Sequence, residues 1–287
     1  GPPPGRGAPG RSSAALTAGG GRRTFEVHAP PTVAGGAARR LPLVVMLHGG
    51  FGSGRQAEQA YGWDAEADRH GYLVAYPDGI DHAWAAGGGC CGVPAATGVD
   101  DVGFVSAVVR ELERLAPVDP GRVYVTGISN GGLLAYRLAC DTTLFAAVAV
   151  DSATLLGPCP SPAPLSVLHL HGTADHNIPY QGGPGDGPAR IDGPPVPQVL
   201  AAWRAVDHCP PVPAVRVGGP VTTTSSDCPD GRGVELITID GAGHQWPGAV
   251  SHPVEERLLG LDPPSTALDA TAVIRAFFDD HPGGARP

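Results

Sequence analysis

The chain has 287 residues, a formal charge of −9 and a hydrophobic fraction of 42%, enough to bury one sizeable core. No stretch approaches the roughly 20 apolar residues of a membrane span, and an acidic chain without a basic cluster does not capture nucleic acid electrostatically. All 19 basic residues are Arg, which excludes lysine Schiff-base, lysine general-base and P-loop chemistry.

The opening GPPPGRGAPGRSSAAL has neither a basic n-region nor an apolar h-region. Either an export signal has been removed or the chain is trimmed, and residues 1–21 are expected to be a flexible leader ahead of one domain over 22–287. RTFEVHA then reads as a strand, and 41–48 (LPLVVMLH) as a continuous apolar strand running into Gly49-Gly50. A helical pattern covers 56–69, followed by the strand YLVAY. Residues 80–99 form a Gly-rich loop carrying Trp84. Asp100 or Asp101 can cap a helix to about 115, with Val105, Val108, Val109 and Leu112 on one face. VDPGRVYVTG is a turn and a strand, and a helix follows Ser129 to about 140. LFAAVAV, PLSVLHLHG and VELITID are further strands, and an amphipathic helix over 266–280 closes the chain. Apolar runs without alternation are strands covered on both faces, so the expected fold is a three-layer α/β sandwich with a mostly parallel central sheet.

Six cysteines stand at 90, 91, 140, 159, 209 and 228, without C-x-x-C zinc spacing. Their even count and scattered spacing fit disulfides and an oxidising compartment. Pairs 140–159 and 209–228 would each close a loop worth about 3 kcal/mol in the chain-entropy model, leaving 90 and 91 as a vicinal pair. Other pairings among the six remain open.

The sharpest motif is VYVTGISNGG, which sets G-x-S-x-G between a predicted strand and a predicted helix. A nucleophile on so tight a turn needs small residues two before and two after it, and the next helix aims its first N–H groups at the reacting oxygen. Ser129 is the candidate nucleophile. A serine hydroxyl needs a base, and the expected chain order is Ser, acid, His. His244, on a loop after VELITID, is that base, ahead of His252. Asp175, just past LHLHG, is the acid that would fix the tautomer of His244, with Asp151 one strand earlier as the alternative. The oxyanion donors are the N–H groups of Asn130 and Gly50. Trp84, Trp246 and Phe51 are candidate walls for substrate. His48 is read as a structural residue, Asp100 and Asp101 as cap residues rather than calcium ligands. His169 and His171, two ligands without a third, are rejected as a zinc site.

LHGGFGSG, the Trp84 and Cys90-Cys91 loop, VDDVGFV, GISNGG, HGTADHNIPYQGG and GHQWPG together resemble the extracellular esterase family named after polyhydroxybutyrate depolymerases, which includes feruloyl and acetylxylan esterases. The resemblance covers about 20–282. It implies an α/β-hydrolase fold, no cofactor, and Ser129, Asp175 and His244 as triad, and the residues themselves suggest no metal site. The S-N-G-G elbow is closer to the feruloyl-esterase side, and Gly50 stands where depolymerases often carry Cys. The expected protein is a secreted, monomeric serine carboxylesterase acting on feruloyl or acetyl esters of plant cell-wall polysaccharide. A polyester depolymerase, a serine peptidase and a non-catalytic polysaccharide-binding protein are the competing readings.

Overall fold

The computed structural model describes residues 9–19, 21–35 and 39–284. Strands β1 (Gly10–Thr17) and β2 (Arg22–Ala29) form an antiparallel hairpin in register from Gly10↔Ala29 to Thr17↔Arg22. This corrects the expectation of a flexible leader over 1–21 for Gly10–Thr17; residues 1–8 and 20 lie outside the described residues. SSAALT is too small and polar to read as a strand by itself, but β2 offers it a row of backbone donors and acceptors.

The parallel centre of the sheet is made by β3 (Leu41–Leu47), β4 (Leu73–Pro77), β5 (Val118–Ile128), β6 (Ala147–Asp151) and β7 (Ser166–Gly172). Every residue of β3, β4, β6 and β7 is buried, as strands rich in apolar residues are when helices cover both faces. A small ribbon of β8 (Gly183–Pro184) and β9 (Asp192–Gly193) lies beyond β7. The chain then returns through β10 (Ala214–Gly218), β11 (Val221–Asp227) and β12 (Gly233–Ile239). The ten-stranded order is β1-β2-β4-β3-β5-β6-β7-β12-β11-β10, parallel from β4 to β12 and antiparallel at both flanks.

The helical pattern expected over 56–69 is two helices, α1 (Gly54–Ala60) and α2 (Trp63–His70). Gly62, at φ 77°, sits at the break, a left-handed backbone that glycine adopts without penalty. Helices α3 (Gly92–Thr97), α4 (Asp101–Leu115), α5 (Asn130–Asp141), α6 (Val196–Val206), α7 (Pro253–Leu259) and α8 (Ala270–Asp280) complete the layers. Alternate residues of β3 feed opposite cores. Leu43, Val45 and Leu47 join Phe104 and Val108 of α4 and Leu134 and Leu138 of α5. Val44 and Met46 join Ala57 of α1 and Ile274, Phe277 and Phe278 of α8. The sandwich of the α/β-hydrolase fold follows from that alternation.

Asp100 caps α4 by accepting the Gly103 N–H, whereas Asp101 turns inward. Its carboxylate accepts from Arg23 Nη2 at 2.8 Å and from Ala85 N at 2.7 Å, tying β2 to the 80–92 loop. The cysteines pair 140–159, 209–228 and 90–91. No helix among the described residues is long and apolar enough to cross a membrane.

Candidate active site

Ser129 lies between β5 and α5 with φ 55° and ψ −122°, a conformation side-chain-bearing residues rarely adopt. The two flanking glycines make the turn possible. A Cβ on Gly127 would strike the backbone of Gly131 and Gly132, and one on Gly131 would strike the carbonyls of Leu47 and His48. The Ser129 N–H donates to Asp151 O at 3.0 Å, which holds the elbow against β6.

The structure brings three distant side chains together. Ser129 Oγ stands 2.9 Å from His244 Nε2, and His244 Nδ1 stands 2.8 Å from Asp175 Oδ2. Asp175 Oδ1 accepts the N–H groups of Asn177 and Ile178, both at 2.9 Å. Burial alone would raise the Asp175 carboxyl, but the hydrogen bond and charge of His244, the facing His171 and the Ile178 N–H hold it below the ordinary carboxylate value. It is thus an anion aimed at the far nitrogen of the imidazole. Such a relay can move a proton from Ser129 Oγ to His244 and stabilise the imidazolium that results.

Asp151, the alternative acid, does not reach His244. Its carboxyl is buried at the end of β6, and neither oxygen has a hydrogen-bond partner among the described residues. Burial drives it well above the carboxylate range, and the Ser152 hydroxyl, spent on Gln245 O, offsets little of that cost. Folded, Asp151 holds its proton more tightly than in the unfolded chain, where it titrates near its ordinary 3.8. Its contribution to stability therefore declines as pH rises above that value. Asp151→Asn, which cannot ionise, is expected to match wild type in urea unfolding near pH 4 and to exceed it at pH 7. A gap that fails to widen over that range would mean a charged Asp151 in the folded protein.

The backbone around the elbow supplies donors. The N–H groups of Gly50 and Asn130 have no acceptor among the described residues, whereas the Phe51 N–H is spent on His82 O at 2.8 Å. A Cβ on Gly49 would lie 3.8 Å from Ser129 Cβ, so the 48–51 loop passes beside the nucleophile. His48 is neutral through burial; its Nδ1–H donates to Gly49 O at 2.7 Å and its Nε2 accepts the Gly79 N–H at 2.9 Å. This bears out the structural role read for it.

Two of the three proposed substrate walls are corrected. Trp84 and Trp246 are buried, at 0% and 2% exposure, and offer no face to a ligand. Trp84 instead clamps the two donor loops together: its Nε1–H donates to His48 O at 2.9 Å, its N–H to Asn130 Oδ1 at 2.8 Å, and its carbonyl accepts from Asn130 Nδ2. Trp246 packs against Tyr61 in a tilted pair with centroids 4.9 Å apart and donates to Thr271 Oγ1, anchoring the His244 loop to α8. Phe51 is 84% exposed at φ 67°, the one of the three aromatic rings that can meet a substrate. Asp262 escaped the sequence reading: its Oδ2 accepts the His244 N–H at 2.7 Å. No local pattern marks a partner 18 residues away in a Pro-rich stretch.

Elsewhere, His28, Glu58 and Asp64 bring one ligand atom each within 4.8 Å of one another. Burial and the facing Asp64 push the Glu58 carboxyl up to about 7, although two arginines stand near it. His28 lies between Asp64 and Asp68, and Glu58 Oε1 is 3.7 Å from Arg11 and 3.6 Å from Arg55.

A nucleophile elbow on the parallel sheet of an α/β hydrolase, with an imidazole and a carboxylate aligned behind it, is the arrangement of a serine hydrolase, and the relatives narrow it to a carboxylic ester hydrolase. The chain belongs to the esterase PHB depolymerase family, whose model matches residues 24–175. It is 33% identical over 280 residues to NocK of Nocardia uniformis subsp. tsuyamanensis, named as an esterase, covering 88% of this chain and 78% of that one. It is 30% identical to feruloyl esterase B of Piromyces equi over 72% of this chain, spanning only 40% of that enzyme's length. In fold it is similar to the acetyl xylan esterase from Aspergillus awamori, with a TM-score of 0.60 at 14% identity, over 86% of this chain and 98% of that one.

Proposed function

We propose that the protein is a secreted serine carboxylesterase that hydrolyses feruloyl or acetyl esters of plant cell-wall polysaccharide through an acyl-enzyme. The observation that carries the mechanism is the Ser129–His244–Asp175 relay, with contacts of 2.9 and 2.8 Å. His244 Nε2 takes the Ser129 proton as Oγ attacks the ester carbonyl. The N–H groups of Gly50 and Asn130 hold the oxyanion of the tetrahedral intermediate. His244 then protonates the departing alcohol, and a water, deprotonated by the same imidazole, cleaves the acyl-enzyme. Asp175 keeps the imidazole in the tautomer that presents a bare Nε2 to serine.

The substrate class rests on the feruloyl and acetylxylan esterases among the relatives. Secretion is supported by three disulfides, which persist in oxidising compartments. A panel of methyl ferulate, acetylated xylan, aryl esters of rising chain length and polyhydroxybutyrate film tests the reading. Preference for methyl ferulate or acetylated xylan is expected. Preference for aryl butyrate or the film would overturn the cell-wall assignment, and faster cleavage of a matched amide than of the ester would replace esterase by peptidase.

A further inference from the structure

Behind Asp175 lies a buried row of polar side chains that the reaction just described does not use. Tyr136, on α5 seven residues after the nucleophile, points across the core to β7. Its hydroxyl is 2.7 Å from His169 Nδ1, His169 Nε2 is 3.0 Å from His171 Nδ1, and His171 Nε2 is 2.7 Å from Ile178 O and 3.5 Å from Asp175 Oδ2. The three side chains are almost wholly removed from solvent, at 0%, 0% and 1% exposure. The Trp203 ring stacks on Tyr136 at 6.0 Å and seals the row.

Only one placement of the protons satisfies this row. His171 Nε2 faces two acceptors, Ile178 O and Asp175 Oδ2, and must carry a hydrogen. Burial disfavours the charged form of both imidazoles, so each ring has one N–H. His171 Nδ1 is therefore bare and accepts from His169 Nε2–H. His169 Nδ1 is bare in turn and accepts from the Tyr136 hydroxyl, the one donor in reach. Each hydrogen in the row points towards Asp175. The last bond also closes a clamp, because Ile178 gives its N–H to Asp175 Oδ1 and receives the His171 N–H on its carbonyl.

We propose that Tyr136, His169 and His171 form a one-way hydrogen-bond chain that holds the 175–178 turn and aims Asp175 at His244, making His171 a positioning residue for the reaction. The proposal rests on the assignment of Ser129, His244 and Asp175 as the triad. It ties the helix that carries the nucleophile to the strand that carries the acid through side chains rather than backbone. Losing the His171 N–H frees the turn and strips one partner from Asp175 Oδ2. The carboxylate then aims less well, and being less stabilised it draws more strongly on the His244 proton. Turnover falls, and the acid limb of the pH profile moves up. The groups facing this region are Asp175 and His244 on the turn side, His169 below, the Tyr180 ring 6.0 Å from His171, and Asp151 within electrostatic reach of Asp175.

The experiment combines two readouts on the whole protein. Imidazole ¹⁵N spectra of wild type are expected to show His169 and His171 as neutral Nε2–H tautomers between pH 8 and 5. An Nδ1–H tautomer at His171, or protonation of either ring in that range, would overturn the proposal irrespective of any activity. Kinetics per fluorophosphonate-titrated site then compare His171→Leu with His171→Gln, whose amide can supply a donor at the same place. His171→Leu is expected to lose about ten- to a hundredfold in kcat with KM changed less than about twofold, and to raise the acid limb. His171→Gln is expected to recover most of the loss. A His171→Leu enzyme with wild-type kcat and pH profile per active site would overturn the positioning role while leaving the triad assignment intact. Wild-type hydrolysis that survives Ser129→Ala would instead bring down the triad assignment. If both His171 variants precipitate, Tyr136→Phe carries the kinetic test, with a smaller fall in kcat expected and an unchanged kcat counting against the chain.

Discussion

Ser129→Ala is expected to lower kcat for a simple aryl acetate by about five orders of magnitude, the scale on which removing one member of a cooperating triad acts. In the proposed mechanism Oγ forms the acyl-enzyme, so its loss would remove the covalent route. His244 and the backbone donors remain and leave a residual rate above that in water, since oxyanion stabilisation does not need the hydroxyl. The substitution also fits the site, because Ala at φ 55° loses only a hydroxyl whose partner is His244. Urea unfolding is expected to change little, which separates lost chemistry from lost fold. Fluorophosphonate labelling should vanish with the rate. A labelled Ser129→Ala protein with near-wild-type turnover would remove the assignment.

Asp175→Asn is expected to cost about four orders of magnitude in kcat, equivalent to about 5.5 kcal/mol of transition-state stabilisation. The reason is the tautomer. Asp175 presents an acceptor to His244 Nδ1 at 2.8 Å while its other oxygen accepts two backbone N–H groups. An asparagine must keep its carbonyl on those two N–H groups, which turns its NH₂ towards His244. Nδ1 then becomes an acceptor, and the proton moves to Nε2, where it faces the serine hydroxyl and blocks proton transfer. The loss should ease as pH rises far enough for hydroxide to assist attack. A fall of less than about tenfold would point to another carboxylate behind His244. Asp151 is poorly suited to that part, since neither of its oxygens meets a hydrogen-bond partner among the described residues and burial disfavours its charge.

Local pattern made the catalytic strands legible. Apolar side chains dominate β3, β6 and β7, with His169 and His171 as the buried polar exceptions in β7, and their ends carry Gly49, Asp151 and the 173–178 turn. The elbow was legible for the same reason, because glycine before and after a serine has a steric meaning within five residues. The flanks were not. β1 becomes a strand only by pairing with β2, the hairpin of β10 and β11 has no buried apolar run, and α7 buries none of its residues. The tryptophans misled because an indole beside a catalytic loop reads alike whether it lines a pocket or braces the loop from behind. Trp84 braces it, with both its N–H groups and its carbonyl engaged in holding His48 and Asn130.

By itself the sequence determined the alternation of elements, the hydroxyl on its tight turn, and the order in which acid and base follow. Those are matters of residue type within a few positions, where sterics and hydrophobic period act directly. Only the tertiary structure decided that Asp175 rather than Asp151 meets His244, that Asp262 holds the histidine's backbone, and that Tyr136, His169 and His171 align their hydrogens behind the acid. Those choices depend on which strand ends lie side by side and how deeply each carboxyl is buried. Desolvation and hydrogen-bond direction are properties of the assembled sheet and have no signature along the chain.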